Sequence, residues 1–252
     1  MIRTPLAPRS WLPLLGILFS SCLCGAGFEV RVQIQDPKGK ELAEPGRLLC
    51  TEWYPKINAL LFGPGTELPF QEVTLVFEDS IVSNSGQQHT VVPAYTSGNK
   101  IHVNSAYVSE LHKQLPADYS GMMIHELTHV NQHYGNNSGA GWLVEGIADY
   151  VRHKYFEKDI EPRLPLNSNG ELPGDSDKNS FATEGYRRGY TITGPFLYWL
   201  ELRKNKEIVG ILNRALRESR YSDKLFQEQC GFSLGVLWQE FVTQSKPGRA
   251  LP

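Results

Sequence analysis

The sequence predicts a single α+β domain, with a small sheet in its first half and helices in its second half. Short segments with alternating or continuous apolar residues occupy the region 28–104. A helical segment carrying His-Glu-Leu-Thr-His follows at 125–129, and the region 186–245 has the apolar spacing of amphipathic helices. A length of 252 residues and a hydrophobic content of 40% suit one large domain, and no repeat or linker divides the chain.

The first 26 residues have the features of a signal peptide. Arg3 and Arg9 precede an apolar run at 11–19, and small residues lead to Cys-Gly-Ala at 24–26, which suits a signal peptidase. The apolar run is too short to span a bilayer comfortably, and no other stretch looks transmembrane. We therefore expect a protein exported to the extracellular space or the periplasm.

The expected mature chain, residues 27–252, is mildly acidic. Removing residues 1–26 takes away two arginines and no acidic residue, which leaves 23 basic against 27 acidic residues. This balance argues against nucleic acid and anionic membranes as partners. A lipid anchor on Cys22 or Cys24 is the alternative to a freely secreted chain.

Strand signals dominate the region 28–104. Residues 28–35 alternate apolar and polar side chains, and residues 73–77 form a continuous apolar run. Between them, residues 48–62 have helical spacing, with Pro55 as a kink or boundary. Two further short strands at 91–95 and 100–104 are joined by a turn at 96–99.

Helical signals follow in the region 105–157 and again after 186. The predicted helices span 105–115, 118–135, 141–157, 189–203, 207–217 and 233–243. Residues 158–185 are rich in Pro, Asn, Asp, Ser and Gly and predict a long irregular segment. Such a segment in a compact domain is usually functional, and we expect it to form the rim of a cleft.

Two cysteines remain in the mature chain, Cys50 and Cys230. In an exported protein this pair could form one disulfide that ties the N-terminal half to the C-terminal helices. The alternative is two buried free thiols.

The segment 121–152 contains the candidate metal-binding and catalytic residues. On a helix, His125 and His129 lie one turn apart on the same face, so both imidazoles can reach one metal ion. Glu126 lies beside them, near enough to hold a metal-bound water without being a ligand. The next helix carries Glu145 and Asp149, which again share a face and could complete a zinc site or orient a ligating histidine.

The other histidines are weaker candidates. His133 shares the face of His129, but a straight helix carries it about 6 Å further along the axis. A third ligand of the three-histidine type would need Gly at 132 and His at 135, where this chain has Gln132 and Gly135. The remaining histidines are isolated in sequence and are expected to be structural or on the surface.

Several segments together resemble a known family. They are Cys-Thr-Glu-Trp-Tyr-Pro-Lys at 50–56, Val-Thr-Leu-Val-Phe-Glu-Asp at 73–79, Ala-Tyr-Thr-Ser at 94–97, Ile-His-Val at 101–103, His-Glu-Leu-Thr-His-Val at 125–130, Glu-Gly-Ile-Ala-Asp-Tyr-Val-Arg at 145–152, Gly-Tyr at 189–190 and Tyr-Ser-Asp at 221–223. With them the chain resembles the plant basic secretory proteins and their microbial relatives, within the gluzincin class of metallopeptidases. The chain departs from the family name in being mildly acidic.

The resemblance implies a zincin-like fold, with a small N-terminal mixed sheet, an active-site helix, a C-terminal helical part and bound Zn²⁺. Residue by residue, it implies His125, His129 and Glu145 as zinc ligands. It also implies Glu126 as the general base and Asp149 as the carboxylate behind a ligand. The interval between His129 and Glu145 is shorter than in thermolysin but similar to that of the secretory family.

The implied reaction is peptide-bond hydrolysis by metal-activated water, with Glu126 accepting the proton of that water. The developing oxyanion needs a second electrophile, for which Tyr190 is the first choice and Tyr186 the second. The resemblance also implies that strand 100–104 is an edge strand that pairs with an extended substrate through Ile101, His102 and Val103.

The sequence thus favours a secreted, monomeric zinc peptidase acting on peptides or proteins. One alternative is a zinc-containing binding or defence protein without activity, although a structural metal site would not need the base Glu126. Another alternative is a metal-dependent amide hydrolase that acts on a non-protein substrate such as the cell wall.

Overall fold

The computed structural model describes residues 27–82, 88–89, 92–134, 139–169, 171, 181 and 183–246. The expected signal peptide, residues 1–26, lies outside the described residues, and export therefore stays a prediction. Among the helices of the described part, none combines the length and the apolar composition that crossing a membrane requires.

The strands build a small mixed sheet and a separate short pair. They are β1 (Glu29–Ile34), β2 (Glu72–Glu78), β3 (Ile81–Val82), β4 (Gln88–His89), β5 (Ala94–Ser97) and β6 (Lys100–Asn104). The main sheet has the order β1-β2-β6-β5, and β3 pairs with β4. Strands β1, β2 and β6 run parallel, whereas β5 runs antiparallel to β6 across the predicted turn.

The topology corrects one expectation. Strand 100–104 was expected at the edge of the sheet, but β6 lies between β2 and β5, and hydrogen bonds pair both of its sides. Its apolar residues Ile101 and Val103 are fully buried, so the strand belongs to the core. The edge strand on this side is β5, because a two-residue turn with Gly98 at φ 61° folds it back onto β6.

The helices account for most of the described chain. They are α1 (Lys40–Phe62), α2 (Ser105–Gln114), α3 (Pro116–Gln132), α4 (Gly141–Val151), α5 (Tyr190–Arg203), α6 (Ile208–Arg217), α7 (Lys224–Cys230) and α8 (Leu234–Ser245). Two 3-10 segments precede α1 and α5, and one π-helical turn at Arg152–Glu157 continues α4. The sequence predicted the positions of all but the short α7.

Helix α1 begins earlier than predicted. It starts at Lys40 and includes both Pro45 and Pro55, although proline in a helix interior removes a backbone hydrogen bond. Tertiary packing stabilises this part of the helix, since Leu42 is 1% exposed and its carbonyl oxygen accepts a hydrogen bond of 2.8 Å from the hydroxyl of Tyr119 on α3. The positions of the prolines in the sequence do not predict this contact, because it joins residues that are far apart in the chain.

One hydrophobic core joins the sheet to the helices. Alternation along β2 and β6 directs Leu75, Phe77, Ile101 and Val103 into the core that also contains α1 and α3. The C-terminal helices add an aromatic cluster around Trp238, whose ring contacts those of Phe181, Tyr186, Phe196 and Phe241. The fold is therefore α+β with a small mixed sheet, as the sequence predicts.

Helix α4, which was predicted to span 141–157, is a regular α-helix only as far as Val151. From Arg152 to Glu157 the chain makes a π-helical turn, and Lys158 ends it with a left-handed φ of 60°. The predicted irregular segment begins there, and its described residues 158–169 contain no helix or strand. Most of the remainder of that segment lies outside the described residues.

Of the two alternatives for the cysteine pair, the structure has the free thiols. Cys50 is buried inside α1, Cys230 lies at the end of α7, and both thiols are free. Burial raises the pKa of the Cys50 thiol to about 12, so this thiol is an inert core residue.

Candidate metal centre

Helix α3 presents two imidazoles side by side. Met123, Ile124, Leu127 and Val130 are fully buried and fix the rotation of the helix about its axis. The opposite face therefore turns His125 and His129 toward α4, and their Nε2 atoms lie 3.1 Å apart. This is the juxtaposition that the spacing of four residues predicts.

Helix α4 supplies a carboxylate to the same point. The Oε2 atom of Glu145 lies 3.2 Å from Nε2 of His125 and 3.3 Å from Nε2 of His129. Ligand atoms bound tetrahedrally to zinc lie about 3.3–3.5 Å apart, given bond lengths of about 2.0–2.2 Å. The three donor atoms thus form a nearly equilateral triangle close to the size that zinc requires.

Both imidazoles are oriented through their second nitrogen. Nδ1 of His125 lies 2.7 Å from Oδ1 of Asp149, and Nδ1 of His129 lies 2.7 Å from Oε1 of Gln132. The amide of Gln132 is itself fixed, because its Nε2 donates to the carbonyl oxygen of Val144 at 3.0 Å. Both acceptors draw the ring proton to Nδ1 and leave Nε2 of a neutral ring free to bind a metal.

Gln132 was not recognised from the sequence as part of the site. It lies three residues after His129 on the same helix and is buried, and this spacing is the signal that could have identified it. Asp149, which the sequence did identify, is 4% exposed.

Three acceptor atoms this close together repel one another unless a proton or a metal ion lies between them. In the metal-free protein a proton can take this place, and the pKa values of His125 and Glu145 are shifted accordingly. Burial by itself lowers the pKa of His125, but hydrogen bonds to Asp149 and Glu145 outweigh it and raise the pKa to about 10. Burial by itself raises the pKa of Glu145, yet hydrogen bonds from His125 and His129 hold it well below its usual range.

Glu126 faces the same cavity without joining the triangle. It is 8% exposed, and its Oε2 accepts a hydrogen bond of 2.7 Å from the hydroxyl of Thr96 on the edge strand β5. The same hydroxyl lies 2.9 Å from the backbone carbonyl oxygen of Glu126. Thr96 therefore fixes the carboxylate relative to the sheet, a contact that sequence spacing could not reveal across thirty residues.

Tyr190 lies over the donor triangle. Its ring stacks on that of His125 with centroids 5.8 Å apart, and about half of the residue is exposed. Burial, and next the Glu145 carboxylate, raises the pKa of Tyr190 to about 12, which keeps its hydroxyl protonated. Its φ of 46° follows Gly189 at 70°, so a strained turn directs this ring into the cavity.

The alternative tyrosine lies elsewhere. Tyr186 is 5% exposed and packs against the rings of Trp142 and Trp238, with centroids 4.9 and 5.9 Å away. It does not line the cavity that contains the histidines. Of the two candidates, Tyr190 is the one beside the donor triangle.

The predicted substrate strand does not line the cavity either. Residues 101–103 are absent from its walls, which include residues 92–96 of β5 and the loop before it. His102 instead stacks on Tyr95 at 4.5 Å, and its Nδ1 lies 3.1 Å from Oε1 of Glu78. The assignment of substrate binding to β6 is therefore wrong, because β5 separates β6 from the cleft.

The cavity itself is an open cleft of about 970 Å³. Its walls come from β5, α3, α4, the π-helical turn and the first turn of α5. His133 also lines it, as a left-handed residue that ends α3, with its ring against Phe70 at 4.5 Å. A metal with a free coordination position, a carboxylate and a phenol would all face this space.

A second group of ionisable side chains lies nearby on the π-helical turn. Nδ1 of His153 is 2.8 Å from Glu157 and 3.0 Å from Asp159, and Arg152 also bonds Glu157 at 2.8 Å. Each carboxylate in this group has a cationic or ionisable nitrogen beside it. The group is thus a network of polar contacts, with one Arg–Glu ion pair, that holds the π-helical turn together.

Comparison with known proteins agrees with the sequence resemblance. Residues 54–241, well over half of the chain, match the family model BSP, which is described as "Peptidase of plants and bacteria". Comparisons with curated proteins and with solved structures found no match. The matched region contains every side chain of the donor triangle and its surroundings.

Proposed function

Because the chain belongs to the BSP family of peptidases of plants and bacteria, we propose that it is a zinc-dependent peptidase. In this proposal His125, His129 and Glu145 hold the metal, and Glu126 is the general base. The observation that carries it is the triangle of donor atoms with sides of 3.1, 3.2 and 3.3 Å, with Glu126 facing the same cleft.

The donor set suits zinc. Two imidazole nitrogens and one carboxylate oxygen are a common ligand set of catalytic zinc, and the open cleft leaves room for a fourth ligand. Zinc bound there would supply a Lewis acid that polarises the scissile carbonyl and makes a water molecule acidic enough to attack near neutral pH. Asp149 and Gln132 would keep the two rings turned toward the metal.

Glu126 is assigned the proton transfers. Thr96 occupies its Oε2, so Oε1 is the oxygen to which we assign the proton of the attacking water. The same carboxyl group would then deliver that proton to the nitrogen of the leaving amine. The bond from Thr96 would keep the carboxylate in one rotamer during both transfers.

Tyr190 is assigned the developing oxyanion. Its protonated hydroxyl can donate a hydrogen bond, and its stacking on His125 would keep it beside a carbonyl bound at the metal. Loss of such a donor reduces the rate on the order of 10²–10³-fold. Tyr190→Phe keeps the ring and its stacking, so the rate of this variant isolates the role of the hydroxyl.

The substrate is expected to lie along β5. In the described sheet one side of this strand pairs with β6, and its other side borders the cleft. An extended peptide could add there as a further strand. Because Thr96 of β5 bonds Glu126, a peptide paired with this strand would pass next to the general base.

The proposal is tested by removing and restoring the metal. Zinc-loaded protein is expected to cleave an unfolded protein, to lose this activity after chelation, and to regain it when zinc is added. A glycan-linked cell-wall peptide is assayed in parallel. Cleavage of that substrate alone would favour the amide hydrolase, and zinc binding without any cleavage would favour the non-catalytic binding protein.

A further inference from the structure

A second cavity, of about 600 Å³, adjoins the catalytic cleft. The π-helical turn and the start of α5 lie between them, and in each of these segments neighbouring residues line the two cavities. Arg152 lines the catalytic cleft and His153 the second cavity, while Tyr190 lines the cleft and Thr191 lines both. The two cavities are therefore immediate neighbours across the π-helical turn and the start of α5.

The far wall is built by the irregular segment after the π-helical turn. Its apolar lining consists of Ile160, Leu164, Pro165 and Leu166, and Pro195 of α5 faces them. This wall is anchored, because Leu164 is 2% exposed and its backbone N–H donates to Oγ of Ser245 on α8 at 3.0 Å. This irregular segment therefore forms a fixed wall of the second cavity.

Each charged side chain of this cavity has a polar or charged partner beside it. Arg163 pairs with Glu161 at 3.0 Å, and Asp159 lies 3.0 Å from Nδ1 of His153. Glu161, Arg163 and Asp159 are also exposed, whereas Leu164 forms a buried floor. Because the charged side chains lie in pairs at an exposed rim, a ligand that enters the interior would mainly contact apolar side chains.

We propose that this second cavity is a substrate subsite that binds one large apolar side chain of the peptide, such as Phe or Leu. The proposal rests on the peptidase function argued above, and it names the class of substrate. A peptide that crosses the catalytic cleft beside Tyr190 would pass Thr191, which lines both cavities, and there a side chain at one fixed distance from the cleaved bond could enter the second cavity.

The expected consequence is a positional preference. Burial of an aromatic or branched side chain in an apolar site favours it over alanine on the order of 10–100-fold in kcat/KM. The preference would occur at one position on one side of the cleaved bond. Charged side chains would be disfavoured there, because the rim charges already have partners.

The test has two stages. First, the cleavage sites of zinc-loaded protein in a mixed peptide library are sequenced, and two peptides are made that differ only by Phe or Ala at the preferred position. Second, the Phe-to-Ala ratio of kcat/KM is measured for Leu166→Asp, which places a charge in the cavity, and for Leu166→Met, which keeps it apolar. Leu202→Asp, at an exposed site away from both cavities, is the matched control.

We expect the ratio to fall to about 3 or less in Leu166→Asp and to stay within about threefold of wild type in Leu166→Met and Leu202→Asp. If Leu166→Asp does not fold, the same ratio is measured for Ile160→Asp, which also places a charge in the cavity. Cleavage without any apolar preference, or a preference unchanged in both aspartate variants of the cavity, would overturn the subsite and leave the peptidase proposal standing. Absence of cleavage by the wild type would overturn both.

Discussion

At the scale of single residues, the two imidazoles of the centre are held by different kinds of partner. Asp149 on α4 gives His125 an ionised acceptor, whereas Gln132 on α3 gives His129 a neutral one. With Glu145 and Glu126 also nearby, a second ionised partner would add a further negative charge to a buried site. A neutral amide orients the ring without that cost.

The role of Gln132 can be measured through zinc affinity. Gln132→Met removes the acceptor of the His129 Nδ1–H, and we expect zinc affinity to fall by about 10–100-fold, as is typical when such partners are lost. Gln132→Glu keeps an acceptor of similar length, and we expect it to stay within about tenfold of wild type. Competition with a chromophoric chelator measures both. Equal affinities in Gln132→Met and wild type would remove Gln132 from the site.

The pKa values predict how the metal-free protein responds to pH. The pKa of His125 rises from 6.5 to about 10 on folding, so its contribution to stability is complete below about pH 6.5 and is lost as the pH rises through 10. The pKa of Glu145 falls below 4.5, so its contribution is present above that value and is lost in acid. The ion pair therefore stabilises the fold most between about pH 4.5 and 6.5.

Denaturant unfolding in the presence of a chelator tests this dependence. We expect the free energy of unfolding of the metal-free protein to be lower at pH 9.5 than at pH 6, and the decrease to be smaller in His125→Gln. Identical decreases in the two proteins would show that His125 and Glu145 do not form this ion pair.

At the scale of elements, the position of the centre depends on how closely α4 and α5 pack. A methyl group added at Gly146 of α4 would lie 2.1 Å from Cγ2 of Thr193, a buried residue of α5. At Gly194 of α5 the nearest atom would lie at 3.4 Å, which is ordinary contact. Gly146 therefore permits the close approach that sets Glu145 beside the histidines, whereas a methyl group at Gly194 would make ordinary contacts.

Alanine substitutions at these two glycines should have opposite effects. We expect Gly146→Ala to destabilise the protein by about 1–3 kcal/mol through overpacking and to weaken zinc binding, since Glu145 is its neighbour on α4. Gly194→Ala should stabilise the helix by about 0.5–1 kcal/mol. Denaturant unfolding of both variants is the measurement. Equal stabilities would mean that α4 and α5 are not packed as tightly as the structure has them.

Local patterns predicted much of this architecture. The spacing of His125 and His129 and the apolar periods of α3 and α4 identified the helices that meet, and the structure brings Glu145 and Asp149 to the histidines. The start of α1 and the pairing of β6 were misjudged, because each depends on contacts between segments far apart in sequence. Thr96 was missed for the same reason, since it meets Glu126 only after the β5–β6 turn folds back.

At the scale of the whole molecule, three parts of the fold line one cleft. The edge strand β5 fixes Glu126, α3 and α4 hold the donor triangle, and the start of α5 brings Tyr190 over it. The irregular segment adds the apolar cavity beside them. The described C-terminal helices form the support on which α5 and this segment rest.

The central claim is that Glu126 acts as the base of a zinc peptidase, and one comparison tests it most directly. Zinc content and cleavage of a mixed peptide library are measured for the wild type, for Glu126→Gln and for Glu44→Gln, an exposed control on α1. We expect Glu126→Gln to bind zinc within about tenfold of wild type and to lose cleavage by about 10²–10⁴-fold, while the control cleaves normally. Full cleavage by zinc-loaded Glu126→Gln, or no cleavage by the zinc-loaded wild type, would contradict the claim.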